Sequence, residues 1–523
     1  MSLRPAAKRS RISSAATALA GGVDRRAGLL LIAILSALGA ITVLLADRKP
    51  LWNDELFTYY IGRLPGAGDV WSKLATGVEQ TPLFFYLVTR ASFAIFGHGQ
   101  VAIRVPEMLG YMLMSVCLFR FVARRSSPIY GLVAALFPVA TIAHGYAYEA
   151  RAYALVLGFS AAALLCWQLA TEGGPHRRLA ALGLAVSLAA AVGSHYYAAL
   201  VLIPLLAGEA ARSLARRRVD WLVVGSLSGA LLPLLLFAPL VREAGEYTTT
   251  FWALPTWPSA VRFYPNSLLD RELPAVVGVV LAVAALAALR SSSGPSVRER
   301  ALRRPPDHEL LMLLTLVLLP FFGVALGKLV TGAFTERSVL PAVLGITILI
   351  ALAAWWTDRE APIVALSLLL VLTMFAGVRL AMRYDDAKAD AEQQTQALHF
   401  LEGHSEGGVP IAVASPHDFF ELSHLAVRDG GPRLVYLADA ALAVRYLETD
   451  AVDLGVVGLQ DIAPLHVEPY RSFVASHPRF LVYAGHGAWD WLTSALDSSG
   501  ANTRVFARNR RNGDVLFEVK RRR

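Results

Sequence analysis

Residues 27–46 read AGLLLIAILSALGAITVLLA, a run of 20 residues without a charged side chain. A helix of about 20 apolar residues crosses the hydrocarbon core of a bilayer. Hydrophobic residues make up 55% of the chain and charged residues 17%, and the mean hydropathy is +0.49. Soluble domains carry about 25% charged residues, and disordered chains are far less apolar. The sequence therefore predicts a polytopic α-helical membrane protein.

Further apolar runs follow the first one up to residue 381. We predict eleven transmembrane helices, at Ala27–Ala46, Val101–Val122, Ile129–Tyr146, Ala152–Ala170, Leu179–Ser194, Ala198–Leu214, Trp221–Val241, Leu273–Leu289, Leu310–Val330, Ser338–Trp356 and Ala361–Ala381. Lys and Arg are concentrated in the N-terminal segment and in alternate loops, which is the charge distribution of cytoplasmic segments. These basic loops are 120–125, 177–178, 212–218 and 290–304. The net charge of +9 therefore reflects membrane topology and does not indicate nucleic-acid binding.

The order of these segments predicts three parts of the chain. Residues 1–26 are predicted to be cytoplasmic, and residues 27–382 to form the transmembrane domain. Residues 47–100 form one long outer loop in this scheme, because the apolar stretch Pro82–Gly97 is short and carries an arginine in its middle. Such a segment is typical of a helix that lies on the membrane surface. An odd number of crossings then places residues 383–523 outside the cytoplasmic (inner) membrane, facing the periplasm or exterior.

The predicted outer domain, residues 383–523, differs in composition from the rest of the chain. Short apolar runs typical of strands alternate with helical stretches, a pattern that predicts a small α/β domain. The strand-like runs are Ile411–Ala414, Leu434–Leu437, Phe480–Ala484, Arg504–Ala507 and Val515–Val519. No G-x-G-x-x-G motif supports nucleotide binding. His417, Asp418 and His424 are expected to be helix-start and surface residues, not metal ligands.

The first predicted outer loop contains a pair of adjacent carboxylates. Residues 51–60, directly after the first span, read LWNDELFTYY, with Asp54 and Glu55 side by side. Acidic residues favour the first turn of a helix, so the pair could serve only as a helix start. A carboxylate held at a partly desolvated boundary is also suited to take a proton from a hydroxyl. The position of the pair, where the outer membrane surface begins, favours this second interpretation.

Two further outer loops carry candidate substrate-binding residues. Between the third and fourth predicted spans the sequence reads AYEARAY, and its Glu149 and Arg151 could bind a substrate or pair with each other. At the outer end of the fifth span it reads SHYY. His195 in this motif could be functional or a hydrogen-bonded structural histidine, and Tyr197 could belong to the aromatic belt of the membrane interface.

The loop before the tenth predicted span carries basic candidates. Residues 335–341 read TERSVLP, with Arg337 at the start of the span and Lys328 nearby. Long basic side chains at a membrane surface often only extend toward the headgroups. A fixed guanidinium is also the group that holds a phosphate through two hydrogen bonds. Arg337 and Lys328 are therefore candidate phosphate-binding residues.

The order of these motifs resembles one family of membrane enzymes. W-x-D-E follows the first span, T-P-L-F-F-Y comes next, A-I-R-V-P-E-M-L-G leads into the second span, and E-A-R-A-Y-A-L, S-H-Y-Y and R-S-V-L-P-A follow in turn. This order is similar to that of the GT-C membrane glycosyltransferases, in particular the bacterial relatives of protein O-mannosyltransferases and the lipid A aminoarabinose transferases. The resemblance covers residues 27–381. The lysine of the aminoarabinose branch is missing at Gln80 or Thr81, and Arg-Tyr of many members is replaced by Arg337-Ser338.

The resemblance implies an activity and roles for the candidate residues. Family members transfer a sugar from a polyprenyl-phosphate donor outside the cytoplasm, and the acceptor here could be a glycan, a lipid or a protein. Asp54 would be the catalytic carboxylate and Arg337 a donor-phosphate contact, and a single displacement would invert the sugar configuration. The implied catalytic residues are Asp54 and Glu55, and the candidate substrate-binding residues are Arg337, Arg151, His195, Lys328, Glu149 and Tyr197.

No cofactor is predicted, although Asp54 and Glu55 could take part in holding a divalent cation.

Two other functions remain open for this sequence. The chain could be a transporter or flippase of lipid-linked sugars, which would show an internal repeat and charges in mid-span; the sequence has no repeat that we detect and almost no such charge. It could also be a non-catalytic envelope-assembly protein. Convergence of Asp54, His195 and Arg337 on one cavity would favour an enzyme.

Overall fold

The computed structural model describes residues 4–246, 251–268, 305–358, 362–405, 408–429, 431–485, 487, 489–509 and 511–520. Most of these residues are helical. The helices before the C-terminal sheet are α1 (Arg4–Arg48), α2 (Asn53–Gly62), α3 (Ala67–Leu74), α4 (Leu83–Phe96), α5 (Gln100–Ala123), α6 (Pro128–Leu136), α7 (Tyr153–Glu172), α8 (Arg177–Ser194), α9 (Leu202–Arg216), α10 (Trp221–Leu227), α11 (Leu231–Leu236), α12 (Ala238–Glu246), α13 (Trp257–Arg262), α14 (Asp307–Val317), α15 (Leu319–Leu326), α16 (Ala342–Thr357) and α17 (Ile363–Gly403). Shorter helical turns lie at Phe137–Ala140, Ile142–Tyr148, Tyr196–Val201, Ser228–Ala230, Phe263–Leu268, Gly327–Thr331 and Glu336–Val339.

Six of the described helices are long and apolar enough to cross a membrane. They are Ser14–Arg48, Gln100–Ala123, Tyr153–Glu172, Arg177–Ser194, Tyr196–Arg216 and Ile363–Gly403. Two bent pairs raise the number to eight, Pro128–Ala140 with Ile142–Tyr148 at 76° and Asp307–Val317 with Leu319–Thr331 at 53°. The predicted spans at 221–241 and 338–356 coincide with apolar helices of 10–17 residues. The predicted span at Leu273–Leu289 and the basic loop at 290–304 lie outside the described residues, so the total of eleven stays a prediction.

The apolar stretch of the predicted first outer loop forms α4, which has 14 residues. At 1.5 Å per residue α4 is about 21 Å long, which is shorter than the roughly 30 Å core of a bilayer. The guanidinium of Arg90 donates to the backbone oxygens of Gly62 and Pro65 at 3.3 and 2.8 Å. α4 is thus too short to span a bilayer, and it is held to the end of α2.

The predicted basic loops that the structure describes, 120–125, 177–178 and 212–218, lie together at one end of the helical bundle. Arg125 pairs with Glu172 and with Glu309, and these contacts join the ends of α5 and α7 to the start of α14. Arg212 pairs with Asp220 at 3.0 Å, between α9 and α10. The loops at the other end of the same helices carry the candidate catalytic residues.

Close helix packing fixes the loop before α7 against α5. The two helices cross at Gly110 and Gly158, where a Cβ on Gly158 would lie 2.3 Å from the backbone oxygen of Gly110. Glycine at such a crossing lets the helix backbones approach closely. Nearby, the Glu107 carboxylate accepts a hydrogen bond from the Leu155 backbone N–H at 3.1 Å. The start of α7 is therefore positioned by α5, which also contacts the first outer loop.

One continuous helix joins the membrane domain to the C-terminal domain. α17 has 41 residues and is therefore about 60 Å long. The predicted domain boundary at residues 382–383 lies inside it. Its last turns, with Leu398 and Leu401, belong to the hydrophobic core of the C-terminal domain.

The C-terminal domain contains a six-stranded sheet with the order β3-β2-β1-β4-β6-β5. The strands are β1 (Ile411–Val413), β2 (Leu434–Ala438), β3 (Val467–Pro469), β4 (Arg479–Ala484), β5 (Asn502–Arg508) and β6 (Val515–Lys520), and the helices are α18 (Pro416–Asp429), α19 (Ala440–Leu447), α20 (Ala451–Leu459), α21 (Tyr470–Ser476) and α22 (Leu492–Ser498). The first four strands are parallel, and β6 pairs antiparallel with β4 and β5. Five strands coincide with the predicted runs. The sequence pattern misses β3, because three residues that include a proline give no apolar alternation.

Candidate active site

A cavity of about 710 Å³ lies between the ends of the membrane helices and the C-terminal domain. Its lining includes Trp52, Asn53, Asp54, Glu79, Arg151, Trp252 and Arg337 from the membrane domain and His417, Gly455 and Trp489 from the C-terminal domain. Arg151 and Arg337 are 97 and 283 residues from Asp54 along the chain. Folding therefore brings three predicted site residues, Asp54, Arg151 and Arg337, to one place.

Asp54 is the second residue of α2, and its carboxylate faces two guanidinium groups. The Oδ2 atom accepts a hydrogen bond from Nη1 of Arg337 at 2.8 Å, and Nε of Arg151 lies 3.9 Å from the same oxygen. The side chain is 19% exposed, so a ligand in the cavity can reach it. Burial raises the pKa of Asp54, but the charges of Arg337 and Arg151 outweigh burial and hold the pKa below its ordinary value. Asp54 is therefore ionised at neutral pH.

Arg151 is shared between two carboxylates. Its Nη1 donates to Oε2 of Glu79 at 2.8 Å and its Nη2 to Oε1 at 3.4 Å. The same Nη1 reaches the backbone oxygen of Asp54 at 3.3 Å. Glu149 does not pair with Arg151, which was one alternative from the sequence; its carboxylate lies 3.5 Å from Nζ of Lys49. Arg151 therefore joins Asp54 to the loop that carries Glu79.

Glu55 faces away from the cavity and is fully buried. Its carboxylate accepts hydrogen bonds from Nε and Nη2 of Arg104 at 2.7 and 2.5 Å and from the Ala150 backbone N–H at 2.7 Å. Arg104 also donates to the backbone oxygens of Ala46 and Lys49 at the end of α1, at 2.7 Å each. These contacts join α1, α2, α5 and the loop before α7. Glu55 therefore does not line the cavity, and this placement does not fit the prediction that it shares a catalytic site with its neighbour.

His195 and Tyr197 lie behind the cavity wall. The His195 ring is 5.4 Å from the ring of Tyr153, and the guanidinium of Arg337 lies over the Tyr153 ring at 5.6 Å. Burial and the nearby guanidinium charges lower the pKa of His195 to about 4, so the imidazole is neutral at pH 7. The Tyr197 hydroxyl contacts Oγ1 of Thr331 at 2.5 Å, in the segment before Arg337. Both residues therefore support the cavity from outside its lining.

Lys328 does not join the other predicted phosphate-binding residue. It is exposed and lies in the helical turn Gly327–Thr331. Within the part of the chain that the structure describes, it is not among the residues that line the cavity. Arg337 and Arg151 are therefore the basic side chains that an anion in the cavity would meet.

Three lining residues are not singled out by the sequence. Glu79 lies two residues before the T-P-L-F-F-Y motif, and an acidic residue so close to that motif is the signal that could have identified it. His417, expected to be a surface residue, is half-buried at the cavity, and Trp489 lines the same cavity. The last two come from a domain without a recognisable motif, so only the folded structure reveals their position.

The C-terminal domain also contacts the backbone of the helix that carries Asp54. Glu421 in α18 accepts hydrogen bonds from the Asn53 backbone N–H at 3.1 Å and from Nε2 of Gln394 at 2.7 Å. Asn53 is the first residue of α2, where backbone N–H groups lack partners within the helix. Burial raises the pKa of Glu421 to about 7. The contact between the two domains therefore depends on a carboxyl group that titrates near neutral pH.

Glu421 is expected to make stability fall as the pH rises from about 4.5 to about 7, because the folded state binds its proton more tightly than the unfolded state does. The shift corresponds to about 3 kcal/mol at most. Glu421→Gln keeps an oxygen for the Asn53 N–H and removes the titration. We expect this variant to unfold at a higher temperature at pH 8 and at an unchanged temperature at pH 4, as followed by circular dichroism in detergent. The same shift at both pH values would contradict this explanation.

The cavity places the ionised carboxylate of Asp54 beside the positively charged groups of Arg337 and Arg151. Asp54 can accept a proton from a hydroxyl, and Arg337 with Arg151 can neutralise an anion. Among the described residues, no group of three or more His, Cys, Asp and Glu side chains is arranged to hold a metal ion. Of the acidic residues that line the cavity, Asp54 and Glu79 are each paired with arginine.

Comparison with known proteins agrees with this architecture. The sequence model of the dolichyl-phosphate-mannose-protein mannosyltransferase family matches residues 79–242. No curated protein matches the chain. Among solved structures, ArnT from Cupriavidus metallidurans in the apo state is similar over 96% of this chain and 98% of its own, with 12% identity and a TM-score of 0.53. The same protein bound to undecaprenyl phosphate is similar over 94% and 97%, with 13% identity and a TM-score of 0.54.

The two comparisons address different properties of the chain. The structural similarity extends over nearly the whole length of both chains, so it includes the C-terminal domain as well as the helical bundle. The family match is a sequence similarity, and it begins at Glu79 and includes Arg151. The chain thus has the fold of the GT-C membrane glycosyltransferases and is similar to their protein mannosyltransferase and ArnT members.

Proposed function

We propose that the chain transfers a sugar from a polyprenyl-phosphate donor to an acceptor hydroxyl, by inverting displacement at the outer face of the cytoplasmic membrane. The observation that carries this proposal is the convergence of Asp54, Arg337 and Arg151 on one cavity at the ends of the membrane helices. A proton acceptor beside an anion-binding group is what this reaction requires. The ArnT structure with bound undecaprenyl phosphate supports a polyprenyl phosphate as the lipid part of the donor.

Each group has a defined task in the proposed reaction. Asp54 takes the proton of the acceptor hydroxyl as the hydroxyl oxygen attacks the anomeric carbon of the donor sugar. The bond between that carbon and the phosphate oxygen breaks, and its electron pair goes to the phosphate. Because a lipid phosphate is a stable anion, it needs charge neutralisation and little protonation. Arg337 supplies this through charge-assisted hydrogen bonds, and attack from the opposite face inverts the configuration.

The free protein keeps the proposed base and the proposed phosphate-binding group paired with each other. Nη1 of Arg337 donates to Asp54 at 2.8 Å, so a donor phosphate has to compete for that guanidinium. When Arg337 turns toward the phosphate, the pKa of Asp54 rises because its nearest positive charge is then shared. Donor binding thus makes Asp54 a stronger base before the acceptor is deprotonated, and the donor is expected to bind first.

The proposed function is tested in cells with and without the gene. Mass spectrometry of envelope glycans, lipids and glycoproteins is expected to find one sugar-modified product that requires the gene. The unaltered protein should restore this product, and the Asp54→Asn variant should not. Purified protein in nanodiscs should bind undecaprenyl phosphate. Unchanged envelope products together with no binding of undecaprenyl phosphate would overturn the proposal.

The proposed orientation places the cavity and the C-terminal domain outside the cytoplasm. It is supported by the basic loops around Arg125 and Arg212, which lie at the end of the bundle opposite to Asp54. Cytoplasmic segments of membrane proteins carry this excess of basic residues. Alkaline phosphatase fused to the C-terminus is expected to be active, and the same fusion in the loop at residue 175 inactive. The opposite pair of results would place the C-terminal domain in the cytoplasm.

A further inference from the structure

Part of the cavity lining is aromatic and has no role in the proposed proton transfer or phosphate binding. Trp252 of the membrane domain and Trp489 of the C-terminal domain both line the cavity, with ring centroids 6.0 Å apart and ring planes at 61°. Phe251 lies 5.6 Å from Trp252. Trp252 is 46% exposed, so its indole faces the cavity and not a protein core. Indoles that line a cavity which also holds convergent polar groups are typical of a ligand-binding surface.

The backbone at Trp489 has an unusual conformation. Its φ is +74°, a left-handed value that is uncommon for residues with a side chain and an outlier for bulky ones. Gly487, two residues earlier, is tightly packed, because a Cβ there would lie 2.2 Å from Oγ of Ser415. The Gly487 N–H also donates to Oδ2 of Asp418 at 3.2 Å. Strained backbone concentrates at functional sites, and here it holds an indole at the cavity.

Two buried polar atoms at the same cavity have no hydrogen-bond partner among the described residues. They are Nε1 of Trp52 and Oδ1 of Asn53, and Asn53 is only 5% exposed. The amide nitrogen of Asn53 faces Oδ1 of Asp54 at 3.5 Å, so the amide oxygen is the atom left for a ligand. Buried polar groups are nearly always hydrogen-bonded, and one left unpaired is costly. A hydroxyl group can both donate and accept a hydrogen bond. The hydroxyl groups of a ligand can therefore pair with the Trp52 donor and with the Asn53 acceptor.

We infer that this part of the cavity binds the acceptor and that the acceptor is a carbohydrate. A sugar ring offers an apolar C–H face to Trp252 and Trp489 and a rim of hydroxyl groups to Trp52 and Asn53. A hydroxyl held by Asn53 lies next to Asp54, which is the proposed base. A serine or threonine residue would offer a hydroxyl but no ring face for the two indoles. This inference rests on the proposed function, and it gives the C-terminal domain the role of recognising the acceptor.

The donor also carries a sugar, so donor binding has to be measured separately from acceptor binding. The donor is held through its phosphate, which belongs with Arg337, and its binding can be measured with undecaprenyl phosphate, which has no sugar. Changes at Trp489 and Trp252 are therefore expected to weaken saccharide binding and to leave undecaprenyl phosphate binding unchanged.

The test uses the full-length protein in nanodiscs that contain undecaprenyl phosphate. The probes are methyl glycosides and disaccharides of glucose, galactose, mannose and N-acetylglucosamine, and a Ser/Thr-rich peptide, with binding measured by saturation-transfer NMR and calorimetry. At least one saccharide is expected to bind saturably. Trp489→Ala and Trp252→Ala should each weaken it by about tenfold or more, and Trp489→Phe, which keeps a ring face, by about threefold or less. Trp356→Ala is the matched control, because Trp356 is 56% exposed at the opposite end of the bundle.

Three results would overturn the inference. The first is binding of the peptide without binding of any saccharide. The second is saccharide binding that Trp489→Ala and Trp252→Ala leave unchanged. The third is a loss of undecaprenyl phosphate binding in these variants as large as their loss of saccharide binding. A failure of the unaltered protein to bind undecaprenyl phosphate would instead contradict the proposed function, so the two failures are distinguishable.

Discussion

Asp54→Asn is expected to lower sugar transfer by about two orders of magnitude or more and to leave the protein folded. The amide has nearly the shape of the carboxylate and can still accept a hydrogen bond from Arg337, but it cannot take a proton. Undecaprenyl phosphate should bind at least as tightly as before, because Arg337 no longer pairs with a carboxylate at 2.8 Å. Lost turnover combined with equal or tighter donor binding is expected of a base that also competes for the phosphate site. If Asp54 only started a helix, Asp54→Asn would change neither turnover nor donor binding.

The measurement is transfer of radiolabelled sugar from a polyprenyl-phosphate donor to an envelope extract, with purified protein in nanodiscs. Glu55→Gln is the matched control, since it makes the same chemical change in the next residue. Glu55 is buried against Arg104, and loss of one partner of a buried ion pair costs about 3 kcal/mol or more. Glu55→Gln should therefore lower the unfolding temperature and leave turnover per folded molecule nearly normal. Near-normal turnover of Asp54→Asn would return Asp54 to a structural role.

The membrane helices could be predicted from the sequence because the apolar residues of a transmembrane helix are contiguous in the chain. A bilayer requires about 20 apolar residues, and runs such as Ala27–Ala46 and Val101–Val122 lie within described helices of spanning length. The bent helices could not be predicted in the same way. The apolar run at Ile129–Tyr146 contains Pro138, which indicates a break, but the angle of 76° between its two parts depends on how the neighbouring helices pack.

The candidate residues of the site could be named from the sequence, but their partners could not. Asp54 and Glu55 are adjacent and chemically alike, yet successive residues of a helix point in directions about 100° apart. One therefore faces the cavity, and the other faces Arg104, which is 49 residues away along the chain. The partner of Arg151 is Glu79, 72 residues away. No local pattern records such pairs, so the sequence could not show that Glu55 pairs with Arg104 while Asp54 faces the cavity.

The aromatic part of the cavity could not be predicted for the same reason, because its residues are far apart in the sequence. Trp252 follows the predicted seventh span, and Trp489 lies in the predicted α/β domain, so 237 residues separate two side chains whose rings are 6.0 Å apart. α17 makes this proximity possible, because it carries the C-terminal domain from the membrane helices without a flexible linker. Five of its strands could be predicted from the sequence pattern, but the contribution of this domain to the cavity follows from the continuity of that helix.

Arg337→Ala is expected to weaken binding of undecaprenyl phosphate by about 10- to 100-fold, since a hydrogen bond to a charged group is worth about 1.5–3 kcal/mol. Arg337→Lys keeps the charge but loses the planar fork that holds a phosphate by two hydrogen bonds. It should therefore bind with intermediate affinity. Folding should change little in both variants, because the Arg337 side chain is 24% exposed and contacts the cavity-facing Asp54 and Tyr153.

The same variants should also change how activity depends on pH. Burial raises the pKa of Asp54, and Arg337 is the largest of the charges that lower it below its ordinary value. Without Arg337 the pKa rises, so kcat/KM of Arg337→Ala should begin to fall at a higher pH on acidification than that of the unaltered enzyme. Arg337→Lys should restore most of the original profile because it returns the positive charge. Profiles between pH 4 and 8, measured with the radiolabelled transfer assay, check this expectation. If Arg337 only extends toward the headgroups, the variants should keep the donor affinity and the fall of kcat/KM at low pH unchanged. That pair of results would show that the donor phosphate is held elsewhere.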